Sequence, residues 1–152
     1  MMGIKTFIST IFKGSDQAYI YVWVSKVEKF IYIGQTNERF GTFGRAFSHI
    51  QSDGTLRNRC LERVGLRLEI VTDLYLLSFP LPNTREFISS ESSFRIAVEY
   101  LVQIGLHDAK MELFPSFQII SNISTSAYVT NQLVKNTASY IINSFKIFYE
   151  EI

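Results

Sequence analysis

Two short segments, Ala18-Tyr-Ile-Tyr-Val-Trp-Val24 and Phe30-Ile-Tyr-Ile-Gly-Gln-Thr36, decide how this chain folds. Both are rich in β-branched and aromatic residues, which favour β-strands. A mostly charged stretch, residues 25–29, separates them. Two such runs joined by a short polar connection predict an antiparallel hairpin. We expect the rest of the chain to pack around that hairpin.

The two faces of this hairpin differ in chemistry. Because side chains alternate across a strand, the first segment divides into Tyr19, Tyr21 and Trp23 on one face and Ile20, Val22 and Val24 on the other. The second segment divides in the same way into Phe30 with Tyr32 and Ile31 with Ile33. The aliphatic face accounts for a core, so we expect the tyrosines to be available for a functional site.

A helix that carries two polar side chains is predicted after the hairpin. Arg45 and His49 stand four residues apart and therefore share a helix face. Phe43, Phe47 and Ile50 form a separate apolar stripe, which we expect to face the core. Arg45 and His49 lie nearly opposite that stripe, so we expect them not to be core residues.

Hydrophobic periodicity and capping residues predict the remaining elements. A helix over residues 55–64 has Leu56, Cys60, Leu61 and Val64 inward and stops at Gly65. Further helices are predicted over residues 3–12, from Ser89 or Ser90 to residue 104 with Gly105 as the stop, and over residues 128–149. Strands are predicted over residues 66–77 and 117–123, and loops at residues 80–83 and 107–108.

Composition restricts the class of protein. The chain has 152 residues, 47% of them hydrophobic, which favours one domain with a sizeable core. The formal net charge is only +1, so phosphate binding would depend on local clusters of arginine. A single cysteine, Cys60, excludes an intramolecular disulfide and a zinc site built from several cysteines, and it fits a reducing compartment. Since we find neither a secretory signal pattern nor a run of roughly 18 apolar residues, we expect a cytoplasmic protein without membrane contact.

Tyr19-Ile20-Tyr21, followed after ten residues by Tyr32-Ile33-Gly34, resembles the two-part motif of the GIY-YIG endonucleases. The helix with Arg45 and His49 is similar to the arginine-bearing helix that comes next in that family. Tyr19 departs from the pattern, because the first glycine of the family usually stands there. The resemblance implies an α/β (α+β) fold with a small, mainly antiparallel sheet built on the hairpin and flanked by helices. We expect one domain over residues 1–152, with a core of about 16–106 and a C-terminal helical extension of about 107–152.

The resemblance also implies a function, which is metal-dependent hydrolysis of phosphodiester bonds, most readily in DNA. Tyr21 and Tyr32 would then orient or deprotonate the attacking water, Arg45 would stabilise the phosphate, and His49 would act as a base or proton relay. One glutamate on a later helix would hold Mg²⁺ or Mn²⁺. Glu99 is the first candidate because its apolar surroundings resemble those of the family's glutamate. Glu91 is the second, because it lies closer to the predicted core stripe of the same helix.

Each of these residues also has an ordinary structural interpretation. Tyrosine is common in β-sheets, and Arg45 with His49 can form a solvated helix face. Arg95 stands four residues from both Glu91 and Glu99, which is the spacing of helix ion pairs. The nuclease hypothesis therefore depends on the combination of these residues and not on any one of them.

The predicted partners depend on surface residues. The arginines expected to contact nucleic acid are Arg39, Arg57, Arg59 and Arg63. Two alternatives to the nuclease remain open. One is a nucleic-acid-binding module of the same fold without catalysis, and the other is an interaction protein. In either the enzyme or the interaction protein, the apolar closing helix is a possible homodimer face.

Overall fold

The computed structural model describes residues 17–113 and 117–152, so the helix predicted over residues 3–12 lies outside the described residues. In chain order the main elements are β1 (Tyr19–Ser25), β2 (Phe30–Thr36), α1 (Gly41–Ile50), α2 (Thr55–Arg59), β3 (Tyr75–Pro80), α3 (Arg85–Ile88), α4 (Ser93–Leu113), β4 (Gln118–Ile119) and α5 (Gln132–Glu151). A π-helical turn, Cys60–Val64, continues α2. Single 3₁₀ turns lie at Leu68–Ile70 and Ala127–Thr130.

The four strands form one sheet in the order β3-β1-β2-β4. β1 pairs antiparallel with both β2 and β3, and only the short β4 runs parallel to its neighbour. The predicted hairpin is confirmed, except that Ser25 belongs to β1 and the connection shortens to residues 26–29. The predicted class, an α/β fold with a small and mainly antiparallel sheet flanked by helices, is confirmed as well.

Helices cover both faces of the hairpin. The aliphatic face packs with α4 and α5 in a core whose central residues include Ile20, Val22, Ile31, Val98, Val102, Ile141 and Phe145. The aromatic face forms a second cluster with the first two helices, which includes Tyr21, Trp23, Phe30, Tyr32, Ala46, Leu56 and Cys60. Tyr21 and Tyr32 are therefore buried under α1 and α2, whereas the sequence pattern predicts a tyrosine face that no core covers.

The face that α1 turns toward the sheet differs from the prediction. Phe43, Phe47 and Ile50 are 43%, 60% and 41% exposed, whereas His49 is only 1% exposed. The expected core stripe of this helix was wrong because the sheet face beneath α1 presents phenol hydroxyls. Ala46 and His49 fit that face, since one is small enough for close approach and the other supplies a hydrogen-bonding nitrogen.

The predicted C-terminal end of the next helix, α2 with its π-helical turn, is confirmed, but one of its predicted inward residues is wrong. Leu56 and Cys60 are buried as expected, and Gly65 ends the helix in the left-handed conformation with φ of 79°. Leu61, predicted inward, is 57% exposed. The π-helical turn that begins at Cys60 inserts an extra residue, which rotates Leu61 away from the sheet.

The third strand begins later than predicted and ends later. The stretch from 66 to 77 was expected to be extended, but it starts with a 3₁₀ turn, and β3 spans Tyr75–Pro80. Pro80, predicted in a loop, is the last residue of that strand. A proline is tolerated there because β3 lies at the edge of the sheet. The strand predicted over residues 117–123 is reduced to β4.

α4 differs from the prediction at both ends. It begins at Ser93, after Ser89 and Ser90, and continues through Gly105 to residue 113. A Cβ on Gly105 would lie 2.3 Å from Cδ1 of Ile142, so this glycine allows α5 to approach and does not stop the helix. His107 and Asp108, predicted in a loop, are therefore helical.

The predicted closing helix is confirmed as α5, preceded by a 3₁₀ turn. Asn131 caps it, since its side-chain oxygen accepts hydrogen bonds from the backbone N–H groups of Leu133 and Val134. Residues of α5 share the main core with the first two strands. Among the described helices, none combines the length and the apolar character that crossing a membrane requires.

Candidate active site

Gly34 makes room for the central side chain of the site. The hairpin register places Tyr21 of β1 directly opposite Gly34 of β2. The Tyr21 ring lies across this glycine, and a Cβ at position 34 would be 2.2 Å from the Tyr21 hydroxyl oxygen. The third residue of the Tyr-Ile-Gly segment is therefore explained by the close approach of the opposing phenol.

A continuous chain of three polar side chains is built on that phenol. Arg45 Nε donates to the Tyr21 hydroxyl oxygen at 3.4 Å, and the Tyr21 hydroxyl lies 2.6 Å from His49 Nε2. Arg45 and His49 are one turn apart on α1, so a single helix supplies both partners. The prediction that they share a face, and the assignment of Tyr21 to the same site, agree with this geometry.

The protonation states fix the direction of these hydrogen bonds. Burial, reinforced by the nearby Tyr32, raises the pKa of Tyr21, so its phenol keeps its proton. Burial and the positive charge of Arg45 lower the pKa of His49 to about 4, so its imidazole is neutral at pH 7. Because Arg45 can only donate to Tyr21, the Tyr21 proton points to His49 Nε2. The remaining proton of the imidazole is then on Nδ1, which is buried and has no hydrogen-bond partner in the part of the chain that the structure describes.

Tyr32 lies beside the hydrogen-bonded side chains of Arg45, Tyr21 and His49, and its own hydroxyl takes no part in their hydrogen bonds. Its ring meets the His49 ring edge-on, with 5.0 Å between the ring centroids. Burial raises the pKa of Tyr32, while the charges of Arg45 and Arg59 oppose that shift. Among the described residues its hydroxyl has no hydrogen-bond partner, so this phenol can bind a water or a phosphate oxygen.

Glu99 reaches the same site from α4, on the other side of the strand pair. Burial raises the pKa of Glu99 to about 7, and the charge of Arg45 partly offsets this effect. The negative charge of the Glu99 carboxylate in turn contributes to raising the pKa of both Tyr21 and Tyr32. Its oxygens have no hydrogen-bond partner among the described residues. Burying an ionisable carboxyl without a partner costs stability, a pattern found at functional sites.

Glu91 has a different environment. Its carboxylate is exposed and accepts hydrogen bonds from the backbone N–H and the hydroxyl of Ser93, the first residue of α4. These bonds lower the pKa of Glu91. The structure therefore places Glu99 near the tyrosines, whereas the Glu91 carboxylate binds the first backbone N–H of α4.

The donor set allows one simple kind of metal site. No group of three or more His, Cys, Asp and Glu side chains able to hold a metal ion is found among the described residues. Mg²⁺ and similar ions, however, are often held by one or two carboxylates, with water and substrate phosphate completing the octahedron. The unpaired carboxylate of Glu99, beside Arg45 and two phenols, fits a site of this kind.

The four arginines expected to contact nucleic acid differ in how many intramolecular contacts they make. Arg57 donates to the backbone carbonyls of Ile50 and Gln51 and pairs with Glu69, so it ties the end of α1 to the next turns. Arg59 is 3.0 Å from Glu62, although its charge also acts on Tyr32. The other two are exposed, Arg39 over the ring of Phe40 and Arg63 on the π-helical turn.

Sequence patterns gave no signal for the contacts that hold α4 against β2. Arg95, whose spacing allowed ion pairs with both glutamates, instead donates to Gln35 and to backbone carbonyls. Ser121, which no motif singled out, accepts hydrogen bonds from the backbone of Ile33 and from Gln103.

Comparison with known proteins adds nothing, since no family model, curated protein or solved structure matches this chain.

Proposed function

We propose that this chain is a metal-dependent endonuclease of the GIY-YIG type, which hydrolyses phosphodiester bonds in DNA. The observation that carries the proposal is the hydrogen-bonded chain from Arg45 through Tyr21 to His49, laid across Gly34. The two tyrosine segments, the arginine helix and the glutamate helix also occur in the order that the family resemblance implies. A small antiparallel sheet flanked by helices is compatible with that fold.

Tyr21 and His49 are suited to take the proton from an attacking water. The Tyr21 oxygen accepts from Arg45 and donates to His49, which leaves one lone pair free to accept a hydrogen bond from water. As the water attacks phosphorus, its proton moves to the Tyr21 oxygen and the Tyr21 proton moves to His49 Nε2. The P–O bond to the leaving sugar oxygen breaks, and solvent water protonates that oxygen. Tyr21 therefore never needs to exist as a phenolate, whose formation its burial opposes.

Arg45 has the position and charge for the phosphate. It is half-buried and always protonated, so its charge acts in a region with little water. Only its Nε is used on Tyr21, and its terminal nitrogens can bind phosphate oxygens. Negative charge that develops on the phosphoryl oxygens during attack would be stabilised there.

Glu99 is the residue that would hold Mg²⁺ or Mn²⁺. When bound, such an ion supplies positive charge to the phosphate and lowers the pKa of a coordinated water. Glu99 needs to be ionised for this role, and its pKa of about 7 makes binding strongly dependent on pH. Glu91 is the less suitable ligand because its carboxylate already caps α4.

The proposed partners are DNA and a second copy of the chain. Arg39, Arg59 and Arg63 are the candidates for phosphate contacts beyond the site, while Arg57 has mainly intramolecular contacts. On α5, Leu133, Tyr140 and Ile147 are 37%, 68% and 58% exposed at intervals of seven residues. That spacing is typical of a helix-pairing stripe, and sedimentation of wild type against Tyr140→Glu tests whether it forms a homodimer.

A cleavage assay with matched variants tests the proposed function. Plasmid and single-stranded DNA would be incubated with the protein in Mg²⁺, Mn²⁺ or EDTA. We expect cutting in either metal, none in EDTA, and a loss of about 10³-fold in Arg45→Ala. Glu99→Gln keeps the shape of the side chain and should remove the metal dependence together with the activity. Glu91→Gln, on the same helix, is the control and should cut like wild type.

Three results would contradict the proposal in different ways. Cutting that survives Glu99→Gln but not Glu91→Gln would move the metal site to the start of α4. Salt-sensitive DNA binding without cleavage in any metal would favour the binding module that lacks catalysis. Absence of both binding and cleavage would leave the interaction protein as the remaining hypothesis.

A further inference from the structure

Arg95, Glu99 and Gln103 follow one another at intervals of four residues along one face of α4. Glu99, in the middle, is the proposed metal ligand. We propose that Arg95 and Gln103 are positioning residues, which fasten α4 to the Tyr-Ile-Gly segment of β2 and so hold Glu99 beside the two phenols. This inference rests on the proposed function only for what Glu99 does, because the geometry itself is independent of the reaction.

The contact made by Arg95 joins three parts of the chain. Its Nε donates to the Gln35 side-chain oxygen at 2.8 Å, and its Nη1 donates to the backbone oxygens of Phe87 and Ser89 at 2.7 Å and 2.6 Å. Asn37, also near the end of β2, donates to the same Ser89 oxygen at 3.0 Å. Arg95 is 3% exposed, so the end of β2 is held against α4 by a buried guanidinium.

The contact made by Gln103 is on the other side of Glu99. Its Nε2 donates to the Ser121 hydroxyl at 3.1 Å and to the Asn122 carbonyl at 2.9 Å. The same Ser121 hydroxyl accepts the backbone N–H of Ile33 at 3.1 Å, just beyond the last residue of β2 that pairs with β4. Ser121 therefore bridges α4 to the strand, and Gln103 is fully buried in this bridge.

The two contacts reach β2 on either side of Gly34. Arg95 engages residue 35 and Gln103 engages residue 33 through Ser121, so α4 runs antiparallel to β2 with Glu99 between the two fastenings. One contact would still allow α4 to rotate about it. Two contacts prevent α4 from both rotating and sliding relative to β2. Such control matters, because a misplacement of about 1 Å near a reacting group costs up to about 100-fold in rate.

The chemistry of the acceptors preserves the free carboxylate. All four acceptors of Arg95 are uncharged oxygens: the Gln35 amide and the backbone carbonyls of Phe87, Ser89 and Glu91. An ordinary ion pair between Arg95 and Glu99 would neutralise the carboxylate that the metal requires. Because Arg95 donates to neutral acceptors, it does not pair with Glu99, whose carboxylate has no ion-pair partner within the described ranges.

Two independent readouts test this role. Gln103→Met keeps the side-chain length, Arg95→Met keeps only the unbranched stem, and both remove the hydrogen bonds. Gln35→Met is a milder variant should Arg95→Met fail to fold. We expect each to raise the Mg²⁺ concentration for half-maximal cleavage about tenfold, with a smaller fall in the rate at saturating Mg²⁺. Ile141→Val, which weakens the core through α5, is the control and should leave the Mg²⁺ requirement unchanged.

The second readout needs no activity. Backbone amide hydrogen exchange would be followed by NMR in each variant. Loss of either contact should speed exchange about tenfold in β2 around Gly34 and in α4 around Glu99, while α1 around His49, which Tyr21 holds, exchanges as in wild type. Unchanged exchange in these segments of the variants would overturn the proposal, as would an equal Mg²⁺ effect in Ile141→Val. If wild type cut nothing, the proposed function would fail, and the exchange measurement would still decide the positioning role.

Discussion

The two faces of the β1–β2 hairpin are equally buried but held together in different ways. On the aliphatic face Ile20, Val22 and Ile31 are at most 1% exposed and pack in the main hydrophobic core. On the aromatic face Tyr21 is 2% exposed, yet its hydroxyl is bound by an arginine and a histidine. Burial is therefore not what distinguishes a core from a site in this molecule.

The difference lies in how far polar atoms are satisfied. Apolar burial stabilises by roughly 25 cal/mol per Å², whatever the identity of the neighbours. A buried polar atom without a partner instead costs about 1–3 kcal/mol. Among the described residues, the aromatic side contains two such atoms, His49 Nδ1 and Trp23 Nε1. We infer that the aliphatic face supplies the stability that offsets the unpartnered polar atoms of the other face.

Substitutions of Ile31 and Tyr32, neighbours on β2 that point to opposite faces, should separate stability from activity most strongly. Ile31→Ala should lower the free energy of unfolding by about 3 kcal/mol, because it leaves a cavity in a tightly packed core. Its cleavage rate per folded molecule should remain normal. Tyr32→Phe removes an uncommitted hydroxyl and should leave stability nearly unchanged, while cleavage falls about 100-fold. Denaturant unfolding and cleavage assays on both variants would check this, and a stability loss in Tyr32→Phe would contradict the assignment.

The contact between the two strands at Gly34 should show the next largest effect. Gly34→Ala places a methyl group on the Tyr21 phenol, which Arg45 and His49 hold in place. We expect a loss of about 2 kcal/mol in unfolding free energy and about tenfold in cleavage. In a Tyr21→Ala background the same substitution should cost nothing. Equal costs in both backgrounds, measured as a double-mutant cycle, would mean that the glycine is needed for another reason.

Glu99 should reveal itself through the pH dependence of stability. Its pKa is raised in the folded protein from 4.5 to about 7, so between these values the folded state keeps a proton that the unfolded state has lost. Stability contributed by this group is then lost as pH rises through that interval. Glu99→Gln should match wild type at pH 4 and exceed it by about 2 kcal/mol at pH 8 in metal-free buffer. Parallel curves for the two proteins would show that the carboxyl is well solvated.

The sequence predicted the parts of the site that lie within the hairpin or within one helix, and missed how the helices pack on the sheet. Strand alternation correctly grouped Tyr21 with Tyr32, and helical spacing correctly grouped Arg45 with His49. The orientation of α1 could not be predicted, because hydrophobicity favours the stripe with Phe43 and the sheet required a hydrogen-bonding partner instead. Likewise, the Gln35 acceptor of Arg95 lies 60 residues away in β2, a contact that no local pattern can indicate.

The outer face of α1 should give the smallest effect and test the corrected orientation directly. Phe47 is 60% exposed while Ala46 beside it is buried, so Phe47→Ser should change the unfolding free energy by less than about 0.5 kcal/mol. Ala46→Val, a smaller chemical change on the inner face, should cost about 1–2 kcal/mol because there is no room against the aromatic cluster. Thermal unfolding of the two variants would compare them. A larger loss in Phe47→Ser would mean that this aromatic side chain is covered in solution, and α1 would then be buried on both sides.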